Sequence, residues 1–267
     1  MEDPSEYLNV NKQSWNNRTA SHLKSEFYDV KGFLDGISSL NSIELGLLGN
    51  VSGKSILHLQ CHFGLDTISL ARLGAKVTGV DLSDSAIEAA KELAVKAGVD
   101  VAFICCDVYD LPDHLAEEFD IVFTSYGVIG WLPDLGKWAK IISNFLKPGG
   151  TFVFAEFHPV VWMFDNNFKE VAYNYFKDEP IIEKESGTYA DRQAELELTT
   201  ITWNHSIAEV LTSLFENSIA VKHFYEFDYS PYNCFSNTVE FEPGKFRISH
   251  LKNYIPMVYA LKANKSL

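Results

Sequence analysis

Between residues 55 and 156, short apolar runs take turns with helical patterns, and this alternation restricts the possible folds more than any other feature of the chain. The runs SILHL (55–59), KVTGVDL (76–82), VAFICCD (101–107), FDIVFTSY (119–126) and TFVFAE (151–156) are largely continuous and rich in β-branched and aromatic residues. Such runs fit strands covered on both faces. Helical patterns separate them. LDTISLARLG follows the first run, and after the second Ser85 and Glu88 offer a capping box ahead of Ile87, Ala90, Leu93, Ala94 and Ala97. After the fourth, Leu135, Trp138, Ile142 and Phe145 share one face, as an amphipathic helix requires. Strand–helix alternation calls for right-handed crossovers and a parallel, doubly wound sheet. LKPGG (146–150) supplies the Pro and Gly that stop a helix and turn the chain into the next strand.

Beyond Glu156 the pattern changes. Residues 157–204 are aromatic and acidic, and ELELTTITW alternates as antiparallel strands of an inserted cap would. HSIAEVLTSLFENS (205–218) reads as a helix, IAVKHFYEF (219–227) as a strand and YIPMVYALKA (254–263) as a final strand. The first 50 residues are expected to form helices over the sheet edge. A chain of 267 residues that is 46% hydrophobic can bury one large core. The expected organisation is therefore one domain: N-terminal helices (1–50), core (51–156), cap (157–204) and the rest of the sheet (205–267).

Composition narrows the partners. With 22 Lys and Arg against 36 Asp and Glu, the chain carries −14, so a polyanion is repelled and nucleic acid is not expected. No stretch has the ~20 apolar residues of a membrane span, and the opening MEDPSEY lacks the parts of a signal peptide. A cytoplasmic protein without membrane contact is expected. Cys61, Cys105, Cys106 and Cys234 are too few and too irregular for a disulfide scaffold. Cys105 and Cys106, adjacent on a strand, should point to opposite faces and be buried.

In an open parallel sheet the ligand sits beyond the carboxyl ends of the strands, where strand order reverses. HLQCHFG (58–64) belongs at that point. A dinucleotide loop needs glycines so that the main chain can approach a pyrophosphate, but Gln60 and His62 stand at the two alternate positions before Gly64. A nicotinamide or flavin dinucleotide is disfavoured. His58, Cys61 and His62 could be drawn as a zinc cluster, yet their side chains diverge along a strand and its turn and no second ligand pair is evident. No metal is expected, and His58 reads as a hydrogen-bonded core residue.

ILHLQCHFG, VTGVDLS, CCDVYDLP, FDIVFTSYGVIGWLPD and LKPGGTFVFAE follow one another in the order and spacing of the motifs of class I S-adenosylmethionine-dependent methyltransferases. The chain resembles that family over about residues 52–157. HLQCHFGLDT with QSWN near the start and a late WNH further resembles a group of small bacterial methyltransferases of mostly unassigned substrate. The resemblance implies an α/β, Rossmann-like, mostly parallel sheet of seven strands with an antiparallel last strand, here with an inserted cap. It implies S-adenosyl-L-methionine as cofactor, S-adenosyl-L-homocysteine as product, and Asp81 on the ribose hydroxyls and Asp107 on the adenine amino group. Leu82 and Val108 would flank the adenine. Gln60, Cys61, His62 and Gly64 would wrap the methionine end, whose carboxylate an amide or imidazole can bond. The family has an acidic residue near the place of His58 and glycines at 60 and 62, and Asp66 is the candidate for the missing charge. Ser125 completes the set at the end of the fourth strand, and Trp15 and Tyr28 would close over the methionine end.

In-line methyl transfer asks the protein for alignment and exclusion of water, and for a base only if the acceptor arrives protonated. Tyr126 and His158 are the candidates by position; each also reads as a packing residue. His205 reads equally as a helix-start residue. FHPVVWMF and YEFDYSPYNCF either seal the rim of the sheet or form a lid over the pocket. A small-molecule acceptor is expected, and an aromatic, acidic lid would suit an amine or cation. Two rivals stay open: a non-catalytic binder of adenosylmethionine or adenosylhomocysteine, and a nicotinamide-dependent oxidoreductase.

Overall fold

The strand order of the main sheet is that of a doubly wound fold. In the computed structural model, which describes residues 6–266, seven strands are β1 (Ser55–Leu59), β2 (Lys76–Asp81), β3 (Ala102–Cys105), β4 (Phe119–Ser125), β5 (Leu146–Phe157), β8 (Ile219–Phe227) and β11 (Val258–Lys265). They lie in the order β3-β2-β1-β4-β5-β11-β8. The opening MEDPSEY falls mostly on Met1–Ser5, outside the described residues. β1 pairs in parallel with β2 on one side and β4 on the other, so strand order reverses at β1. β11 is antiparallel to both β5 and β8.

Side chains alternate across each strand, and the two faces carry different clusters. Leu57, Val122, Phe152, Phe154 and Tyr259 pack against α6 (Leu135–Phe145) and α7 (Ile207–Glu216). Ile56, Phe123, Val153 and Ala260 pack against α3 (Ser42–Leu48) and α4 (Leu65–Arg72). α6 starts because the Asp134 side chain accepts the Lys137 main-chain N–H at 2.9 Å. Its Trp138 is fully buried, with ring centroids 5.6 and 5.3 Å from Phe152 and Phe154. A side chain of this kind contributes about 3 kcal/mol by leaving water.

Several boundaries differ from the sequence reading. The cap of α5 (Asp84–Ala97) is Ser83, whose hydroxyl accepts from Ala86 at 3.1 Å; Ser85 and Glu88, read as its capping box, already lie inside the helix. Ser83 wins because the chain leaves β2 at Asp81 and turns at once. LKPGG does not end α6 from outside a strand. Leu146 already pairs with Phe119, and a register shift lets the Pro–Gly–Gly stretch bulge before Thr151 meets Ile121. Cys105 is exposed, against the expectation of burial, because β3 is the edge strand of the sheet. All four cysteines are free thiols.

The cap contains an antiparallel pair, β6 (Ile181–Ser186) and β7 (Glu197–Thr202). A second hairpin absent from the sequence reading, β9 (Thr238–Glu242) with β10 (Lys245–Ile248), sits between β8 and β11. α1 (Tyr7–His22), which the short α2 (Val30–Leu34) follows, lies against β7 and α5 instead of over a sheet edge. Asn11 fixes it there: its side-chain amide donates to the Ile201 carbonyl at 2.7 Å and accepts the Ile201 N–H at 2.9 Å. α1 is thereby held between the core and the cap.

Candidate functional site

The carboxyl ends of β1, β2 and β4, the helix α1 and the cap enclose one cavity of about 860 Å³, within the range of small-molecule and cofactor sites. Every site residue named from the sequence borders it except His158 and His205. The turn after β1 is the floor. Gln60, His62 and Gly64 all take the left-handed conformation, with φ of 55°, 51° and 78°, so the backbone keeps a glycine-type path through two side-chain-bearing residues. That path costs on the order of 1 to 2 kcal/mol at each. At Gly64 a Cβ would stand 2.8 Å from the Phe103 ring and 3.1 Å from the Ala90 methyl, so a larger residue forces that ring to move.

Asp81 locks this turn to β2. Its Oδ2 accepts the His62 N–H at 2.7 Å and its Oδ1 the Ser83 N–H at 2.9 Å. Burial pushes its carboxyl up to about 6 against the pull of these bonds. Each oxygen keeps a lone pair. Asp107 caps the short helix Val108–Asp113 by accepting the Tyr109 N–H at 3.1 Å, and burial raises it too. Leu82, Cys106 and Val108 lie between these two carboxylates on the cavity wall. Asp66, in the first turn of α4, accepts from Ser125 Oγ at 3.2 Å and is raised by burial.

Over the turn stands an aromatic roof. Trp15 packs edge-on against His62 and Trp131, each at 5.1 Å, and Tyr28 lies 5.7 Å from the His62 ring. His22 Nδ1 and His62 Nε2 meet at 2.9 Å. Burial drives both imidazoles down, His22 to about 3, so both are neutral and one N–H is shared between them. Arg18 is buried beneath Trp15, 5.0 Å from the ring, and its Nη2 donates to Glu185 of β6 at 2.8 Å. Three buried polar atoms of cavity-lining residues have no protein partner: Gln60 Oε1, His62 Nδ1 and Arg18 Nε. Buried groups of this kind are normally paired.

The far wall is the turn after β4. Tyr126 takes φ 45°, and its hydroxyl donates to Glu44 at 2.9 Å. The N–H groups of Gly127, Val128 and Ile129 all converge on the carboxylate of Glu156, which also accepts from Phe157. His158 lies elsewhere. Its Nε2 is 3.0 Å from Glu226 Oε1, its Nδ1 accepts from Val160, and its ring is tied to the outer part of the sheet. The β5–β11 pairing carries it past the rim, which removes it as a candidate base. His205 borders no part of the cavity; it bonds the Leu132 carbonyl at 2.8 Å just before α7. His58 is buried with Nδ1 2.8 Å from Thr67 Oγ1. Among the described residues no cluster of three or more His, Cys, Asp and Glu is placed to hold a metal ion.

Arg18, His22, Glu44 and Glu156 went unassigned in the sequence. Glu156 alone left a legible trace, a carboxylate closing an otherwise apolar strand. The other three meet Glu185, His62 and Tyr126 at separations of 40 positions or more.

Comparison with known proteins agrees with this arrangement. A family model described as a methyltransferase domain matches residues 56–150. A ubiquinone biosynthesis O-methyltransferase of Idiomarina loihiensis is 31% identical over 139 residues, covering 51% of this chain and 57% of that protein. One of Salmonella typhi is 29% identical over 137 residues, covering 50% and 56%. The chain thus spans a little over half the length of these curated relatives. Among solved structures, geranyl diphosphate C-methyltransferase from Streptomyces coelicolor, in complex with adenosylhomocysteine, superposes with a TM-score of 0.61 at 15% identity over 99% of this chain and 98% of that one. An S-adenosylmethionine-dependent methyltransferase from Clostridium acetobutylicum superposes with 0.58 at 16% identity over 96% and 99%. The matched residues, the strand order and the cavity at the reversal point agree: residues 56–150 match a methyltransferase domain, and the fold is the Rossmann-like one of the adenosylmethionine-dependent methyltransferases on which the chain superposes.

Proposed function

We propose that this chain binds S-adenosylmethionine in the cavity above β1 and transfers its methyl group to a small-molecule acceptor held under the cap. The observation that carries the reading is the turn Gln60–Gly64. It follows the path of a glycine loop but carries the side chains of Gln60 and His62 on the cavity wall where bare main chain would cradle a pyrophosphate. Side chains at these two positions leave a pyrophosphate no bare main chain to approach and suit an amino-acid end. Asp81 then holds the ribose hydroxyls and Asp107 the adenine amino group, with Leu82 and Val108 against the ring. Trp15, Tyr28, Cys61, Gly64, Asp66 and Ser125 shape the remainder.

The bound cofactor supplies an electrophilic methyl group on a sulfonium that departs as a neutral thioether. The protein's part is alignment and dryness. Trp162 and Phe164 of the cap, with Phe235 packed against Trp162, line the cavity, which suits an acceptor with an apolar body. A net charge of −14 opposes nucleic acid as acceptor. The free thiols fit a reducing, cytoplasmic setting, and no described helix is long and apolar enough to cross a membrane.

Incubation of the protein with methyl-labelled adenosylmethionine and a fractionated metabolite extract is expected to move label into a low-mass product with an equal yield of adenosylhomocysteine. Tight cofactor binding with label transferred to no fraction would overturn the enzymatic reading in favour of a binding protein.

A further inference from the structure

Tyr126 and Glu44 form a pair to which cofactor binding gives no task. Glu44 is fully buried on α3 and does not itself border the cavity, whereas Tyr126 does. The two oxygens of Glu44 are divided. Oε1 accepts the Asn41 main-chain N–H and, at 3.2 Å, the Asn41 side chain, closing the capping box of α3. Oε2 accepts only the Tyr126 hydroxyl, at 2.9 Å. A capping box uses one oxygen, so the second one serves the wall of the cavity.

The groups around the carboxyl make it a proton acceptor. Asp66 of α4 faces it, as do Tyr126 and Tyr232; Asn41 donates to Tyr232 Oη at 2.7 Å, and the two tyrosine rings meet edge-on at 5.1 Å. Lys262 of the adjoining β11 is bound to the Leu47 carbonyl at 2.8 Å and not to the carboxyl. Burial first and Asp66 second push Glu44 up to about 7, against the bonds from Asn41 and Tyr126. It therefore exchanges a proton near neutral pH, whereas Tyr126, also buried, is held far above its usual range. Tyr126 conducts a proton without existing as tyrosinate.

Resting on the methyl-transfer reading above, we propose that the acceptor bears a hydroxyl or phenol and that Tyr126 relays its proton to Glu44. The acceptor O–H breaks as a new Tyr126 O–H forms, and the original Tyr126 proton passes to Glu44 Oε2. The freed oxygen pair makes the O–CH3 bond while the C–S pair stays on sulfur. Charge balances, since a cation and a carboxylate become a neutral thioether and a carboxylic acid. A neutral amine attacks before losing a proton, but a hydroxyl needs this outlet. Tyr126 touches the acceptor and Glu44 acts through it.

The test compares wild type with Glu44→Gln, whose amide oxygen preserves the capping box, and with Tyr126→Phe. Carboxyl NMR of the cofactor-free protein labelled at glutamate should find one group titrating near 7, absent from Glu44→Gln and moved higher in Tyr126→Phe by loss of its donor. Label transfer from adenosylmethionine to extract should rise with pH through that value in wild type. It should fall by about 100-fold and lose that rise in either variant, with adenosylhomocysteine affinity within about twofold of wild type. An unchanged rate and pH profile in both variants, or a Glu44 carboxyl titrating in the ordinary range, would overturn the relay. Failure of wild type to bind adenosylhomocysteine would instead overturn the underlying reading, which the same calorimetric control detects.

Discussion

Asp81→Ala should weaken adenosylhomocysteine binding by about 100-fold. A carboxylate accepting both ribose hydroxyls contributes two charge-assisted hydrogen bonds of roughly 1.5 kcal/mol each, and about 3 kcal/mol corresponds to that factor. The substitution also strips the His62 and Ser83 N–H groups of their acceptor, loosening the turn that shapes the methionine end. Calorimetry on the folded variant measures the loss. Asp81→Asn keeps a carbonyl oxygen and should fall in between. The pH dependence carries a sign. Burial raises Asp81 to about 6 in the free protein, so affinity should be full above that value and decline as pH falls through it. Affinity unchanged in Asp81→Ala would remove the ribose assignment.

Glu156→Ala should produce the largest loss of stability, about 5 kcal/mol and more than about 10 °C in Tm, read by calorimetric melting. One buried carboxylate accepts four main-chain N–H groups, from Gly127, Val128, Ile129 and Phe157, and an unsatisfied buried donor costs about 1 to 3 kcal/mol. The turn it organises also holds Tyr126 in the left-handed conformation. The Gln60 side chain donates to the Val128 carbonyl at 2.9 Å, so the two turns that bound the cavity share one support. Glu156→Gln retains the shape but turns an NH2 toward donors, and should lose roughly half as much. A shift of under about 2 °C in Glu156→Ala would mean that water replaces the carboxylate and that the turn stands without it.

The periodicity of residues 55–156 carried enough information to place five strands and their helices, because continuous apolar runs and Gly or Ser punctuation are local signals. Asp81 and Asp107 were legible for a related reason: a strand end followed by a turn fixes where a side chain points, and Gly64 was legible as the glycine at the start of the next helix. The antiparallel β11 and the β6–β7 hairpin were also readable as alternation or as the family's pattern. Other features needed contacts distant in sequence. Arg18 is defined by Glu185 and Trp131, Asn11 by Ile201, and Glu44 by Tyr126, pairings that no local pattern encodes. His158 shows the converse. Its position just past β5 pointed to the cavity, but strand pairing with β11 continues to Phe157 and the His158 N–H bonds the Met257 carbonyl at 2.9 Å.

The account stands on the identity of the molecule that the turn Gln60–Gly64 accepts. Calorimetric titration of the wild-type chain with adenosylhomocysteine and, separately, with NADH addresses it most directly. One adenosylhomocysteine bound per chain, with no saturable heat from NADH, is the predicted result. Saturable NADH binding with adenosylhomocysteine silent would contradict it.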